Sequence, residues 1–242
     1  MNKPKMILFD YGQTLADEVR FDGVRGTGEV LKYAVVNKYG LSAEQVQARA
    51  DELNRETGRF DPARRHLNLI EIPSRMFTAY LYESLGIKLS ITAEQIDRIF
   101  WDAAAPGTAT EGIEALREFL YQNDIRTGVI SNISYCGKAL RDRINEVIPS
   151  NRFEFIIATS EYMLRKPDRR IFELALEKAG LRADEVWYVG DSYECDVVGA
   201  RNAGVFPVHY IGAMDMAYER KNDVMEIESW AELRTFIENH TH

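Results

Sequence analysis

Four polar clusters in this 242-residue chain sit at the ends of short apolar runs, and together they offer a nucleophile, hydroxyl and amide donors, a cation and metal-binding carboxylates. Asp10 ends the run Met6-Ile7-Leu8-Phe9 and opens Tyr11-Gly12-Gln13-Thr14. A carboxylate delivered into a glycine-bearing turn can attack phosphorus, splitting one hard displacement into two easier ones, or it can ligate Mg²⁺. Asp191, in Gly190-Asp191-Ser192, supplies a second oxygen of the hard kind that Mg²⁺ prefers. Asp196 is placed to begin the following helix and to orient the ligands around it. Ser131 and Asn132 close Thr127-Gly128-Val129-Ile130, where side chains and free backbone N–H groups can hold phosphoryl oxygens. Lys166 precedes Pro167 and the start of a helix, from where its ammonium can bridge Asp10 and a phosphate.

Each residue also has a plainer reading. Asp10 can cap a turn, Asp191 and Asp196 can be first-turn residues favoured by the helix dipole, Ser131-Asn132 can be loop chemistry, and Lys166 can be a solvated lysine. The chemical reading gains weight because all four clusters end strands or begin helices on one edge, and the carboxyl edge of an open α/β sheet is where ligands bind.

The elements that would build that edge follow from the hydrophobic pattern. Near-continuous apolar runs at 5–10, 126–131, 153–158, 186–191 and 206–211 predict five strands buried on both faces of a parallel sheet. Helical faces come between and after them: Ile113, Leu116 and Leu120; then Ile171, Phe172, Ala175, Leu176 and Ala179, stopped by Gly180; and finally Trp230, Leu233, Phe236 and Ile237. Strand–helix alternation of this kind predicts a doubly wound α/β sheet of Rossmann-like type. The stretch from the first strand to about residue 108 breaks the rhythm and is far too long for a loop. Its patterns are helical, at 28–39, 43–58, 74–85 and 93–105. We therefore expect residues 1–16 and 106–242 to form the core, and 17–105 an inserted helical cap with a hinge at Ala105-Pro106-Gly107-Thr108. A lid so placed can exclude water and select substrates.

In order and spacing, Asp10-Tyr11-Gly12-Gln13-Thr14, Ser131-Asn132, Lys166-Pro167 and Gly190-Asp191-Ser192 with Asp196 resemble the four motifs of the haloacid dehalogenase superfamily. The inserted helices are similar to the cap of its phosphoglycolate phosphatase-like and β-phosphoglucomutase-like branch. The resemblance implies an Mg²⁺-dependent hydrolase of a small phosphorylated metabolite working through an aspartyl-phosphate on Asp10. It implies metal ligation by Asp10, Asp191 and the backbone carbonyl of Gly12, with Asp196 in support. Ser131, Asn132 and Lys166 would hold the phosphoryl group, with Gly12 and Thr14 in the substrate-binding turn.

One part is missing. Phosphatases of this family usually carry a second aspartate two residues after the nucleophile, which protonates the leaving oxygen and then activates water, help worth about 10²–10⁴-fold. Here that position is Gly12. A good leaving group, a substitute acid, or lost turnover would each account for it. Alternatives that lack the aspartate are dehalogenase-type members, which carry a bulky aromatic there; phosphonate-cleaving members, which need a cap lysine; and a non-catalytic Mg²⁺- or phosphate-binding protein. The insertion's lysines are Lys32, Lys38 and Lys88.

Composition narrows the rest. A formal charge of −8 speaks against a nucleic-acid partner, no stretch reaches the roughly 18 apolar residues of a membrane span, and the N-terminal apolar run is too short for a secretory signal. Two cysteines, Cys136 and Cys195, cannot form a disulfide framework. These features suggest a cytoplasmic enzyme. Arg59, Arg64, Arg65 and His66 read as a solvated basic loop, Arg20 and Arg25 likewise, His209 as packed in its strand, Cys195 as a small helix residue, and Tyr11 as core or pocket rim.

Overall fold

The computed structural model describes residues 3–58, 69–213 and 218–239. The chain opens with β1 (Met6–Phe9) and β2 (Ala16–Glu18), then runs through α1 (Gly23–Leu31), β3 (Ala34–Asn37), α2 (Ala43–Thr57), α3 (Ser74–Ser84), β4 (Ile87–Leu89), α4 (Ala93–Ala104) and β5 (Gly107–Ala109). There follow α5 (Ile113–Gln122), β6 (Arg126–Ser131), α6 (Gly137–Val147), β7 (Ile156–Ala158), α7 (Arg169–Ala179), β8 (Val186–Gly190), a π-helical turn Tyr193–Val198, α8 (Gly199–Asn202), β9 (Phe206–Tyr210), β10 (Met225–Ile227) and α9 (Trp230–Asn239).

The central sheet has the order β10-β9-β8-β1-β6-β7, and every neighbouring pair is parallel. Its strands are apolar along their length because both faces are covered. Ile7 and Phe9 pack with Leu116 of α5, Leu140 of α6 and Leu233 of α9. Met6 and Leu8, on the opposite face, pack with Ile171 and Phe172 of α7 and Ala200 of α8. With β1 central between β6 and β8, the chain leaves the sheet on one side and returns on the other, so the crevice at the carboxyl end of β1 is the topological switch point.

The sheet has six strands rather than the predicted five. The added strand, β10, is three residues long and lies at the edge, pairing Met225 with Val208 and Ile227 with Tyr210. An edge strand this short, with Glu226 at its middle, leaves no apolar run to read.

Between β2 and β5 the insertion has its own apolar cluster, built on Val30, Val46, Ala50, Leu81, Tyr82, Ile87 and Ile96. The predicted helix over 28–39 is corrected here. The helix is α1, which starts at Gly23 and ends at Leu31, and Ala34–Asn37 is a strand pairing antiparallel with β4. The β-branched pair Val35-Val36 favours a strand over another helical turn, and both side chains stay exposed. The insertion is therefore not purely helical. Helices α2 and α4 begin with full capping boxes, Ser42 with Gln45 and Thr92 with Gln95. Strands β2 and β5, where the chain leaves and re-enters the core, pair antiparallel and set Glu18 opposite Gly107. Among the described residues no helix is long and apolar enough to cross a membrane.

Candidate active site

Asp10 stands one residue beyond β1, its N–H donating to the Val189 carbonyl of β8 at 2.9 Å. The turn that follows needs Gln13 in the left-handed region, at φ 55°. Gln13 holds that shape through its N–H on the Ala16 carbonyl and its side-chain amide on the Glu18 carbonyl. Thr14 is fully buried, and its hydroxyl lies 3.4 Å from Asp191 Oδ1, so it steadies a carboxylate.

Lys166 lies beneath Asp10 and is 1% exposed. Its Nζ is 2.9 Å from Asp10 Oδ1 and 2.5 Å from Asp196 Oδ1, and donates to the Tyr188 hydroxyl at 2.8 Å. Asn132 fixes the backbone there: its amide N–H donates to the Lys166 carbonyl at 2.9 Å, and its side-chain oxygen accepts from the Lys166 N–H at 2.8 Å. The side chain of Asn132 is thus engaged with the lysine's peptide. Ser131, the last residue of β6, is buried beside it.

Asp196 belongs to the π-helical turn after β8. Its Oδ1 meets Lys166 and Tyr188, and its Oδ2 accepts the Ser192 N–H at 2.9 Å. The fold admits this only because residue 190 is glycine: a Cβ there would lie 2.3 Å from the Asp196 carboxyl carbon.

Oxygens of Asp10, Asp191 and Asp196 all fall within 4.8 Å of one another. Three carboxylates around one lysine leave the cluster short of positive charge. Burial pushes the Asp10 carboxyl up to about 6, opposed by Lys166 and aided by the Asp196 charge. Asp191 rises to about 8, through burial and then the charges of Asp10 and Asp196. Burial alone would lower the Lys166 ammonium, but the charges of Asp10 and Asp196 outweigh it and raise it. Lys166 is the ionic partner of Asp10 Oδ1 at 2.9 Å, and no other described group donates to this buried oxygen. Three carboxylates within 4.8 Å of one another form an all-oxygen donor set that suits a divalent cation such as Mg²⁺.

These shifts set a pH dependence. Both folded values lie above the roughly 3.9 of an unfolded aspartate, so the stability these two groups contribute is full below about pH 4 and is lost as pH rises through about 6 and about 8. The chelator-treated protein should therefore melt at a lower temperature at pH 8.5 than these groups would allow at pH 5. Added Mg²⁺ should raise the melting temperature more at pH 8.5 than at pH 5, because a ligand that binds only the folded state stabilises by mass action. Equal Mg²⁺ shifts at both pH values would contradict this assignment.

Two groups escape a reading of local sequence. Glu18, at the end of β2, is 18% exposed in its side chain, and its Oε1 accepts from Trp101 Nε1 and from Arg143 Nη2, both at 2.9 Å. Arg143 of α6 also donates to the Ala105 carbonyl at 2.7 Å and to the Tyr11 hydroxyl at 3.2 Å, with its guanidinium 4.2 Å above the Trp101 ring. Tyr11 is accordingly a core residue, set edge-on to Trp101. His209 is fully buried as expected, but it is also a brace: its ring nitrogens lie 2.9 Å from the Asp191 carbonyl and 3.1 Å from Glu226 Oε1.

Burial raises the Cys195 thiol, in keeping with an unreactive side chain. Arg20 and Arg25 are exposed. Arg59, Arg64, Arg65 and His66 lie outside the described residues.

The insertion docks onto the same edge. The Ser74 N–H bonds the Ser134 carbonyl, the Glu71 N–H the Met163 carbonyl and the Arg165 N–H the Leu69 carbonyl, while Asp97 of α4 accepts the Cys136 N–H. Between the two parts is a cavity of about 530 Å³ whose wall includes Asn132, Ser134, Arg165, Phe77, Leu81 and Phe100.

Comparison with known proteins places this geometry. The model of the haloacid dehalogenase-like hydrolase family matches residues 36–209. The chain is 26% identical, over 85% of its length and 81% of the relative's, to a glyceraldehyde 3-phosphate phosphatase of Pyrococcus abyssi. It is 29% identical to the mouse haloacid dehalogenase-like hydrolase domain-containing protein 3, over 45% of this chain and 43% of that one, so it spans less than half of that relative. Among solved structures, a 2-haloacid dehalogenase from Pseudomonas syringae superposes with a TM-score of 0.62 at 19% identity, covering 99% of each chain, a likeness of fold. With its parallel sheet, its carboxylate–lysine cluster and the match over most of its length, the chain belongs to the haloacid dehalogenase-like hydrolase family.

Proposed function

We propose that this chain is an Mg²⁺-dependent phosphatase of a small phosphorylated metabolite, with segment 17–105 serving as its cap. The observation that carries this reading is the cluster at the switch point of the sheet in which Asp10, Asp191 and Asp196 come within 4.8 Å of one another and Lys166 pairs with Asp10 and Asp196.

In this reading Asp10 attacks phosphorus in line and becomes an aspartyl-phosphate. Lys166, held by Asn132 and by two carboxylates, offers a fixed positive charge to the transferring group, so no reorganisation is needed as negative charge develops. The Ser131 hydroxyl and the backbone N–H groups of the turn after β6 hold a phosphoryl oxygen. Asp10, Asp191 and the Gly12 carbonyl would hold Mg²⁺, with Asp196 behind them, and the ion when bound offsets charge that otherwise repels a phosphate from Asp10. Asp196 orients Lys166 and the start of the π-helical turn, and His209 fixes the Asp191 peptide.

The phosphatase reading is favoured over Schiff-base cleavage of a phosphonate by the cavity beside Asn132, whose described lining holds no lysine. In the insertion, Lys32 is instead paired with Glu29 on an exposed surface. Inorganic phosphate release from acyl phosphates, sugar phosphates, nucleotides and phosphonoacetaldehyde, with and without Mg²⁺, tests the proposal. Metal-dependent release from at least one phosphate ester or anhydride is the expected result. Release from phosphonoacetaldehyde alone would replace the reading, and binding of Mg²⁺ with no release from any substrate would reduce the protein to a binding module.

A further inference from the structure

A phosphatase needs one group twice: to give a proton to the leaving oxygen and to take one from the attacking water. The described residues nearest Asp10 are committed elsewhere. Lys166 is shared among Asp10, Asp196 and Tyr188, and both oxygens of Asp196 are occupied. Asp191 is braced by Thr14 and belongs to the proposed metal set. Gly12 has no side chain.

The space beside Gly12 is not empty. A Cβ built on residue 12 would find, its chain neighbours aside, one atom of the described residues within 4 Å, and that atom is Oε2 of Glu18 at 3.4 Å. An aspartate at 12 would carry its own carboxyl oxygens about 2.4 Å from that Cβ by standard bond lengths. The Glu18 oxygen therefore lies about an ångström farther from that Cβ than the oxygens of an aspartate at 12 would. Its other oxygen is fixed by Trp101 and Arg143, whereas Oε2 receives no hydrogen bond from any described residue. Gly107, opposite Glu18 across the β2–β5 ribbon, leaves room for this: a Cβ there would press on Glu18 Cγ at 3.1 Å. One oxygen tethered and the other unbonded beside position 12, two residues from Asp10, is an arrangement that suits a proton-transfer group.

We propose that Glu18 is the acid and base of this enzyme, supplied from the hinge ribbon in place of a side chain at position 12. The inference rests on the phosphatase reading above. As Asp10 bonds to phosphorus and the bond from phosphorus to the leaving oxygen breaks, the Glu18 carboxyl gives its proton to that oxygen and the alcohol departs. The Glu18 carboxylate then takes a proton from water as the water oxygen bonds to phosphorus. The phosphorus–Asp10 bond breaks, its electron pair returns to the Asp10 carboxylate, and phosphate leaves with Glu18 protonated as at the start.

Glu18→Gln keeps an acceptor for Trp101 and cannot transfer the proton. With an alkyl phosphate such as glycerol phosphate it should lose about 10²–10⁴-fold in kcat. With p-nitrophenyl phosphate, whose leaving group needs no acid, the variant should release a burst of about one p-nitrophenol per active site and then stall, because the phosphorylated Asp10 lacks a base for hydrolysis. Quenched samples should then hold phosphate on the protein. The double variant Glu18→Ala, Gly12→Asp should recover at least tenfold over Glu18→Ala on the alkyl phosphate, since a carboxyl is returned to the space that truncation vacates.

The inference is overturned if Glu18→Gln keeps its alkyl phosphate turnover within threefold. It is equally overturned if both substrates fall by the same factor with no burst, no trapped phosphate and no recovery in the double variant, the pattern of a structural role. If the wild type matches Asp10→Asn on every substrate, the phosphatase reading itself fails and takes this inference with it. Activity that depends on Asp10 but not on Glu18 removes the inference alone.

Discussion

Asp10→Asn should abolish phosphate release, by on the order of 10⁴- to 10⁶-fold as for the loss of a covalent nucleophile, while leaving the fold intact. The substitution changes one oxygen for an amide at nearly constant volume. It removes a carboxyl that the site already makes costly to ionise, since burial lifts it to about 6. Lys166 retains Asp196 at 2.5 Å and Tyr188 at 2.8 Å, so no buried ammonium is abandoned. The variant should therefore be at least as resistant to urea as the wild type at pH 8 in the absence of metal, and should trap no phosphate on the protein with any substrate. Turnover within tenfold of the wild type would assign the nucleophile elsewhere. A large drop in the urea midpoint would show Asp10 to be structural instead.

The second large effect is on stability. Lys166→Met removes the cation that pairs with Asp10 and Asp196 and leaves these two carboxylates facing each other in the interior. Deleting one partner of a buried pair costs about 3–5 kcal/mol, most of it from the uncompensated charge that remains. Here the loss should shrink as pH falls toward 5, where a carboxyl already raised to about 6 takes up a proton and ceases to need a partner. Added Mg²⁺ should recover part of the loss at pH 8. Urea unfolding of the variant at pH 5 and pH 8, with and without Mg²⁺, measures all three. A penalty under 1 kcal/mol at pH 8 would mean that the carboxylates are far less crowded than their mutual approach within 4.8 Å implies.

The parallel core was legible because its strands are covered on both faces, so they left short apolar runs, three of which lead into candidate site residues: Asp10 after Phe9, Ser131 at the end of β6, Asp191 after β8. Gly180 was legible as the stop of α7 and does take a left-handed φ of 63°. Elements whose burial is partial were not. Strand β10 has three residues and is stabilised by its neighbour's edge rather than by its own apolarity, and the helical period of α1 ran on into Ala34–Asn37 although the chain there pairs across to β4. Within the site, residue types were readable and partnerships were not. Nothing near Asn132 announces that its side chain grips the Lys166 peptide. Glu18 lies in an ordinary acidic pair, Asp17-Glu18, and its place is set by Gly107 and Arg143 from beyond the insertion. The gap at Gly12 was visible in the sequence; the atom beside it was a matter of long-range pairing.

Gly190 and Asp196 share one volume: the carboxyl of one stands where a methyl group on the other would be. Gly190→Ala should displace the Asp196 carboxylate, and with it the Lys166 ammonium that lies 2.5 Å away, without any change at either residue in the sequence. Any side chain at 190 and the present seat of Asp196 are thus mutually exclusive, so the smallest residue in the strand decides where the ammonium of Lys166 can rest.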